Sequence, residues 1–168
     1  MTYDELSKHF FIKDGVIWKK LNNRGNPNPV KIKGALNKGY LWIRSTLTNG
    51  RFIGYHRALW ILTHGDIPDG MVVDHINRNT LDNSIDNLRL VTRSQNSMNA
   101  KGKAGAKYSK NVYEDFSWKG TKKYRAQVMF DGKVVRVGGY DTIEQAERMA
   151  KALRKFLHGE YAVKEGDV

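Results

Sequence analysis

Residues 72–96 read VVDHINRNTLDNSIDNLRLVTRSQN, and four of their side chains could share one piece of chemistry: the adjacent Asp74 and His75, then Asn87, then Asn96. Hydrolysing a phosphodiester needs a base to activate water and a cation to stabilise the crowded phosphate and the departing oxygen. A neutral imidazole suits the first task near pH 7. A carboxylate and an amide oxygen suit a hard divalent ion such as magnesium or manganese, and two protein oxygens leave most positions for phosphate oxygens and water. An Asp-His pair alone is more often structural. The weight lies in the joint spacing inside a strand–loop–strand–helix pattern. One constraint follows from strand geometry: neighbouring strand residues point to opposite faces. The pattern therefore predicts a strand end or a bulge that re-aims Asp74 or His75.

The elements that must position these residues are readable in outline. Met71–Asp74 and Leu88–Val91 are short strand candidates, and Ile76–Asn87 between them is rich in Asn and Asp, which favour turns by side-chain to backbone bonding. Thr92 is placed to cap a polar helix running to about Asn99. Upstream, HRALWILTH at 56–64 is apolar on most sides and meets Gly65, as a short buried helix with a glycine cap would. Asp14-Gly15 and Asn49-Gly50 are hairpin signals. Downstream, Val112–Trp118, Tyr124–Phe130 and Val134–Tyr140 are three strand candidates, with Asp131-Gly132 turning the last pair. Thr142-x-x-Gln145 is a capping box, and Ile143, Ala146, Ala150, Leu153 and Leu157 form one apolar helical stripe closed by Gly159.

Segment 55–96 resembles the HNH nucleases, the ββα-metal class, in their homing-endonuclease-like branch. The resemblance is carried by Tyr55-His56-Arg57, Asp74-His75, Asp86-Asn87-Leu88, Leu90-Val91-Thr92 and Asn96. It implies that His75 is the general base, that Asp74 and Asn96 hold one magnesium or manganese ion, and that Asn87 orients the His75 ring. His56 and Arg57 are candidate phosphate contacts, and capping of the buried helix explains them equally well. His9, His64 and His158 read as structural or surface residues. The chain has no cysteine, which excludes a thiolate nucleophile, a disulfide framework and the cysteine-ligated zinc of other family members. No structural zinc is expected.

Residues 108–162 resemble the APETALA2-type DNA-binding domain. Tyr108-x-Lys110-Asn111-Val112, Lys123-Tyr124-Arg125-Ala126-Gln127-Val128, Gly138-Gly139-Tyr140-Asp141-Thr142-x-Glu144-Gln145-Ala146 and His158-Gly159-Glu160-Tyr161-Ala162 carry that likeness in order. It implies a sheet lying in the DNA major groove with the helix behind it. Strand alternation agrees independently. Lys123, Arg125, Gln127 and Met129 share one face; Tyr124, Ala126, Val128 and Phe130 share the other. The candidate DNA contacts are Lys110, Tyr113, Lys123, Arg125, Gln127 and Arg136. Tyr113, Asp115 and Met129 stand where the plant family carries arginines.

Lysine and arginine total 29 against 17 acidic residues, a net charge of +12. The excess is +5 over residues 1–92 and +7 over 93–168, so both halves suit a polyanion. No apolar run spans a bilayer, and the polar, acidic start lacks the features of a signal peptide. The expected fold class is α+β: an N-terminal β-rich part with a ββα-metal HNH core, then a three-stranded antiparallel sheet packed on one helix. The expected domains are a nuclease domain at 1–99 with its core at 55–99, a basic linker at 100–107, and a DNA-binding domain at 108–168. Together these describe a divalent-metal-dependent endonuclease acting on double-stranded DNA, of the phage homing type. It is expected to be monomeric and cytoplasmic, with no membrane partner and no small-molecule cofactor. A DNA-binding protein without activity and an RNA-directed nuclease remain alternatives at this stage.

Overall fold

The structure is a computed structural model and describes residues 1–20, 28–44, 52–100, 106–115 and 123–162. The Asn49-Gly50 turn, most of the expected linker and the end of the Val112–Trp118 strand lie outside those residues. The chain forms two compact units, Met1–Arg93 and Ser94–Val168. The division falls after Arg93, the first residue of the helix at 93–99. The rest of that helix groups with the second unit.

The first unit opens with α1 (Tyr3–Ser7), capped by a Thr2–Glu5 box. Strands β1 (Phe10–Lys13) and β2 (Val16–Lys19) pair as a hairpin. Asp14 and Gly15 both take positive φ, 52° and 69°, the backbone of a type I′ turn whose twist matches paired strands. A short β3 (Val30–Lys31) pairs with β2. A second sheet has the order β4 (Ala35–Asn37), β5 (Tyr40–Arg44), β6 (Phe52–Gly54). Then α2 (Tyr55–His64) runs to Gly65 at φ 91°. It buries Tyr55, Ala58, Leu59 and Ile61 in a core shared with Leu6, Phe10, Ile17, Ile43, Ile53, Val73 and Leu88. The Tyr55 hydroxyl accepts the Ile17 N–H at 3.1 Å, pinning the start of α2 to the first hairpin. Burial holds the Tyr55 pKa above its usual value. Two antiparallel strands, β7 (Met71–His75) and β8 (Leu88–Thr92), complete the unit.

The second unit takes in helix α3 (Arg93–Asn99) from Ser94 onward. Its sheet has the order β11 (Lys133–Tyr140), β10 (Lys123–Phe130), β9 (Val112–Asp115), all antiparallel. Asp131 and Gly132 turn β10 into β11 at φ 48° and 69°. Helix α4 (Ile143–His158) carries the Thr142–Gln145 capping box. It lays Ala146 and Ala150, both fully buried, against Val112 and Ala126, with Tyr108, Tyr124, Tyr140, Met149 and Leu153 around them. The fold is mixed α+β, built from small antiparallel sheets and helices. No helix among the described residues is long and apolar enough to cross a membrane.

Candidate active site and nucleic-acid face

The β7–β8 ladder is regular from Met71↔Thr92 to His75↔Leu88. No bulge re-aims the Asp-His pair, contrary to one of the two geometries the sequence allowed. His75 is the last paired residue of β7, and the two side chains of the pair meet different groups. Asp74, 8% exposed, faces Arg89, its cross-strand partner. Arg89 Nε donates to Asp74 Oδ2 at 3.1 Å, and its Nη2 is ion-paired with the same oxygen at 3.0 Å.

The His75 ring, 5% exposed, meets a different set of groups. Its Nε2 lies 3.3 Å from Asn83 Oδ1. Its centroid is 5.0 Å from that of His56 and 6.2 Å from that of Tyr40, and the Tyr40 and His56 rings are 5.7 Å apart. Three elements, β5, α2 and β7, thus each contribute one ring to the cluster. Gly54 makes room for it. A Cβ there would come within 2.8 Å of His56 Cε1, so a side chain at 54 would push that ring out of place.

Asn87 is buried and ties the 76–87 loop together. Its Oδ1 accepts the Asn77 N–H at 3.0 Å, and its Nδ2 donates to the Asp82 carbonyl at 2.7 Å. The resemblance implies that Asn87 orients the His75 ring from the loop; these bonds secure that loop, which also brings Asn83 to the imidazole. Asp82 stitches the same loop, accepting from Asn77 Nδ2 and from the Ser84 hydroxyl and N–H. Those hydrogen bonds, the Ser84 hydroxyl foremost, keep its carboxyl below the usual range.

Burial first, then the neighbouring His75 and Arg57, push the His56 pKa down to about 4. In the unfolded chain a histidine titrates near 6.5. Between those values the unfolded state holds a proton that the folded state does not. The contribution is therefore complete above pH 6.5 and is lost as pH falls toward 4, by at most about 3 kcal/mol. Urea unfolding at pH 7 and pH 4.5 should register the loss, and His56→Phe should shrink it. An unchanged pH dependence in the variant would exclude His56 as its source.

Arg57 is exposed at the start of α2, and Asn96 is exposed on α3 in the second unit. Among the described residues, no three His, Asp or Glu side chains gather into a metal-holding group.

In the second unit, strand register places Tyr113, Arg125 and Gly138 in one row and Gln127 beside Arg136 in the next. Ala126 and Val128 are fully buried on the opposite face. The outward face is less basic than its composition suggests. Lys123 is ion-paired with Asp141. Arg125 lies 3.7 Å from Asp115 and stacks over Tyr113 at 5.9 Å. Arg136 Nε donates to Gln127 Oε1 at 3.0 Å. Lys110 is turned to the end of α3: its ammonium donates to the carbonyls of Ser97 and Met98, each at 3.3 Å, and of Ala100. His158, expected to be structural or on the surface, is buried and lies 3.1 Å through Nε2 from the Met129 carbonyl.

Sequence reasoning missed Tyr40, Gly54, Asn83 and Arg89. Only Arg89 left a signal: it is the one basic residue of the strand expected at Leu88–Val91, within one register step of Asp74.

The strand pair, its loop and the flanking helices coincide with a known family. The HNH endonuclease family model matches residues 54–98. The chain is 29% identical over 164 residues to an uncharacterized HNH endonuclease of Acanthamoeba polyphaga mimivirus, covering 91% of this chain and 83% of that protein. It is 32% identical over 108 residues to Protein 3.8 of Escherichia phage T7, covering 64% of this chain and 86% of that one. No solved structure matches the chain. The chain belongs to the HNH endonucleases: it is a nuclease, a hydrolase of phosphodiester bonds, with viral relatives.

Proposed function

We propose that the protein is a divalent-metal-dependent endonuclease of double-stranded DNA, positioned on its substrate by the C-terminal sheet and encoded by a phage as a homing-type enzyme. The observation that carries the reading is the buried Asp74-His75 pair at the end of β7, with its histidine enclosed by His56, Tyr40 and Asn83. His75 takes the proton of the attacking water. Asn83 Oδ1 beside Nε2 then accepts from the imidazolium, and Asn87 keeps the loop that holds Asn83. Asp74 and Asn96 are the proposed metal ligands. A carboxylate oxygen and an amide oxygen are hard donors that fit magnesium or manganese, and the chain has no thiolate to favour a softer ion. The ion, when bound, would stabilise charge on the phosphate and leaving oxygen. His56 and Arg57 remain candidate phosphate contacts; only Arg57 is fully outside the ring cluster.

The second unit is read as an APETALA2-like module whose Tyr113, Lys123, Arg125, Gln127 and Arg136 face DNA. Asp141 and Asp115 neutralise two of its cations, so phosphates must displace these carboxylates on binding. Electrostatic affinity should accordingly be modest and salt-sensitive.

The test is cleavage of supercoiled plasmid with magnesium, with manganese and with excess chelator. Both ions should support cutting. Chelator should abolish it without unfolding the protein, since no structural zinc is expected. Undiminished cutting in chelator would overturn the metal mechanism, and preferential cleavage of structured RNA in competition would overturn the substrate.

A further inference from the structure

The ammonium of Lys110 has three N–H donors, and three carbonyls receive them: those of Ser97, Met98 and Ala100. Ser97 and Met98 lie in the last turn of α3 and Ala100 directly follows it, at the negative pole of the helix; the Ser97 carbonyl also accepts the Ala100 N–H at 3.3 Å. Lys110 itself is held from the other side. Arg154 on α4 donates Nη1 to the Lys110 carbonyl at 2.8 Å and to Asn111 Oδ1 at 3.4 Å. Asn111, at φ 73°, donates Nδ2 to the Gln127 carbonyl at 2.8 Å, and its own carbonyl accepts the Gln127 N–H at 2.9 Å. Gln127 lies on the outward sheet face, where its Oε1 accepts from Arg136. A continuous set of bonds therefore runs from the sheet face and α4, through Asn111 and Lys110, to the end of α3.

We propose that Lys110 is a positioning residue of the nuclease rather than a phosphate contact: it clamps α3 onto the C-terminal sheet and so fixes Asn96. The inference rests on the reading of Asn96 as a metal ligand. A seven-residue helix is too short to be stable alone, so its orientation depends on what grips its ends. Asn96 lies one residue before the first gripped carbonyl.

The experiment uses the full chain, with plasmid DNA, enzyme in excess and a magnesium titration. Lys110→Met removes the ammonium and keeps most of the stem. Cleavage at saturating enzyme should slow by roughly 10–100-fold, as when a group that orients a metal ligand is lost. The magnesium concentration for half-maximal rate should rise, while duplex affinity and its salt slope stay those of the wild type. Lys110→Arg, which keeps a donor cation, should recover part of the rate. It also stands in for Lys110→Met if that variant does not melt cooperatively: its rate must then fall at unchanged affinity.

In the Asn96→Ala background, Lys110→Met should add nothing, because both act through one ligand. Multiplying effects would overturn the clamp. So would a wild-type rate at saturation, combined with weaker binding and a salt slope reduced by about one, the signature of a phosphate contact. If Asn96→Ala itself cleaves like wild type, the metal-ligand reading has failed. If Asn96→Ala is slow and Lys110→Met is not, only the clamp has failed.

Discussion

His75→Ala should cleave DNA roughly 10²–10⁴-fold more slowly than the wild type, the usual contribution of a positioned acid–base group, and bind it almost as tightly. The histidine is 5% exposed and lies among His56, Tyr40 and Asn83, so it contributes little surface to an electrostatic interface. Its loss should therefore appear in the cleavage step and not in duplex affinity. Single-turnover rates with enzyme in excess separate the two. Asn87→Ala should act more mildly, on the order of 10–100-fold, because it loosens the loop that brings Asn83 to the ring without removing the ring. Wild-type cleavage by His75→Ala would remove the histidine from the mechanism. Equal losses in rate and affinity would point to a structural role instead.

The second large effect is on stability. Arg89→Met should destabilise the folded protein by about 3–5 kcal/mol, the cost of leaving a buried carboxylate without its cation. The side chains are 17% exposed for Arg89 and 9% for Asp74, and both nitrogens of the guanidinium edge reach one carboxylate oxygen. A surface pair would be worth at most about 1 kcal/mol, so denaturant unfolding decides between the two cases. Replacing both partners, Asp74→Val with Arg89→Met, should recover much of the loss, since no charge then remains buried. If Asp74 also binds a divalent ion, millimolar magnesium should restore part of the stability of Arg89→Met by mass action. A loss below about 1 kcal/mol would show that the pair is effectively solvated.

What the sequence determined by itself is local. Asp14-Gly15 and Asp131-Gly132 specify hairpin turns because consecutive residues must take positive φ there, and both do. Gly65 ends α2, and Thr142 with Gln145 starts α4, because helix ends are decided by which nearby groups satisfy orphan amides and carbonyls. The alternation of Arg125 and Gln127 against Ala126 and Val128 separates the two sheet faces for the same short-range reason.

Tertiary structure alone decided the surroundings of those residues. Tyr40, His56 and His75 come from three elements, and nothing in their spacing along the chain announces that their rings touch. Asn83 sits in a loop whose many Asn and Asp residues look alike in sequence; the bonds of Asn87 and Asp82 select which one faces the imidazole. Lys123 and Arg125 read as cations for DNA, and the fold sets Asp141 and Asp115 against them. Lys110 read the same way, yet its donors go to the end of α3, a short helix whose seven residues could not hold their own orientation. A side chain's type limits what it can bind. Which partner it meets depends on chain closure over tens of residues, and that is set by packing of the whole unit.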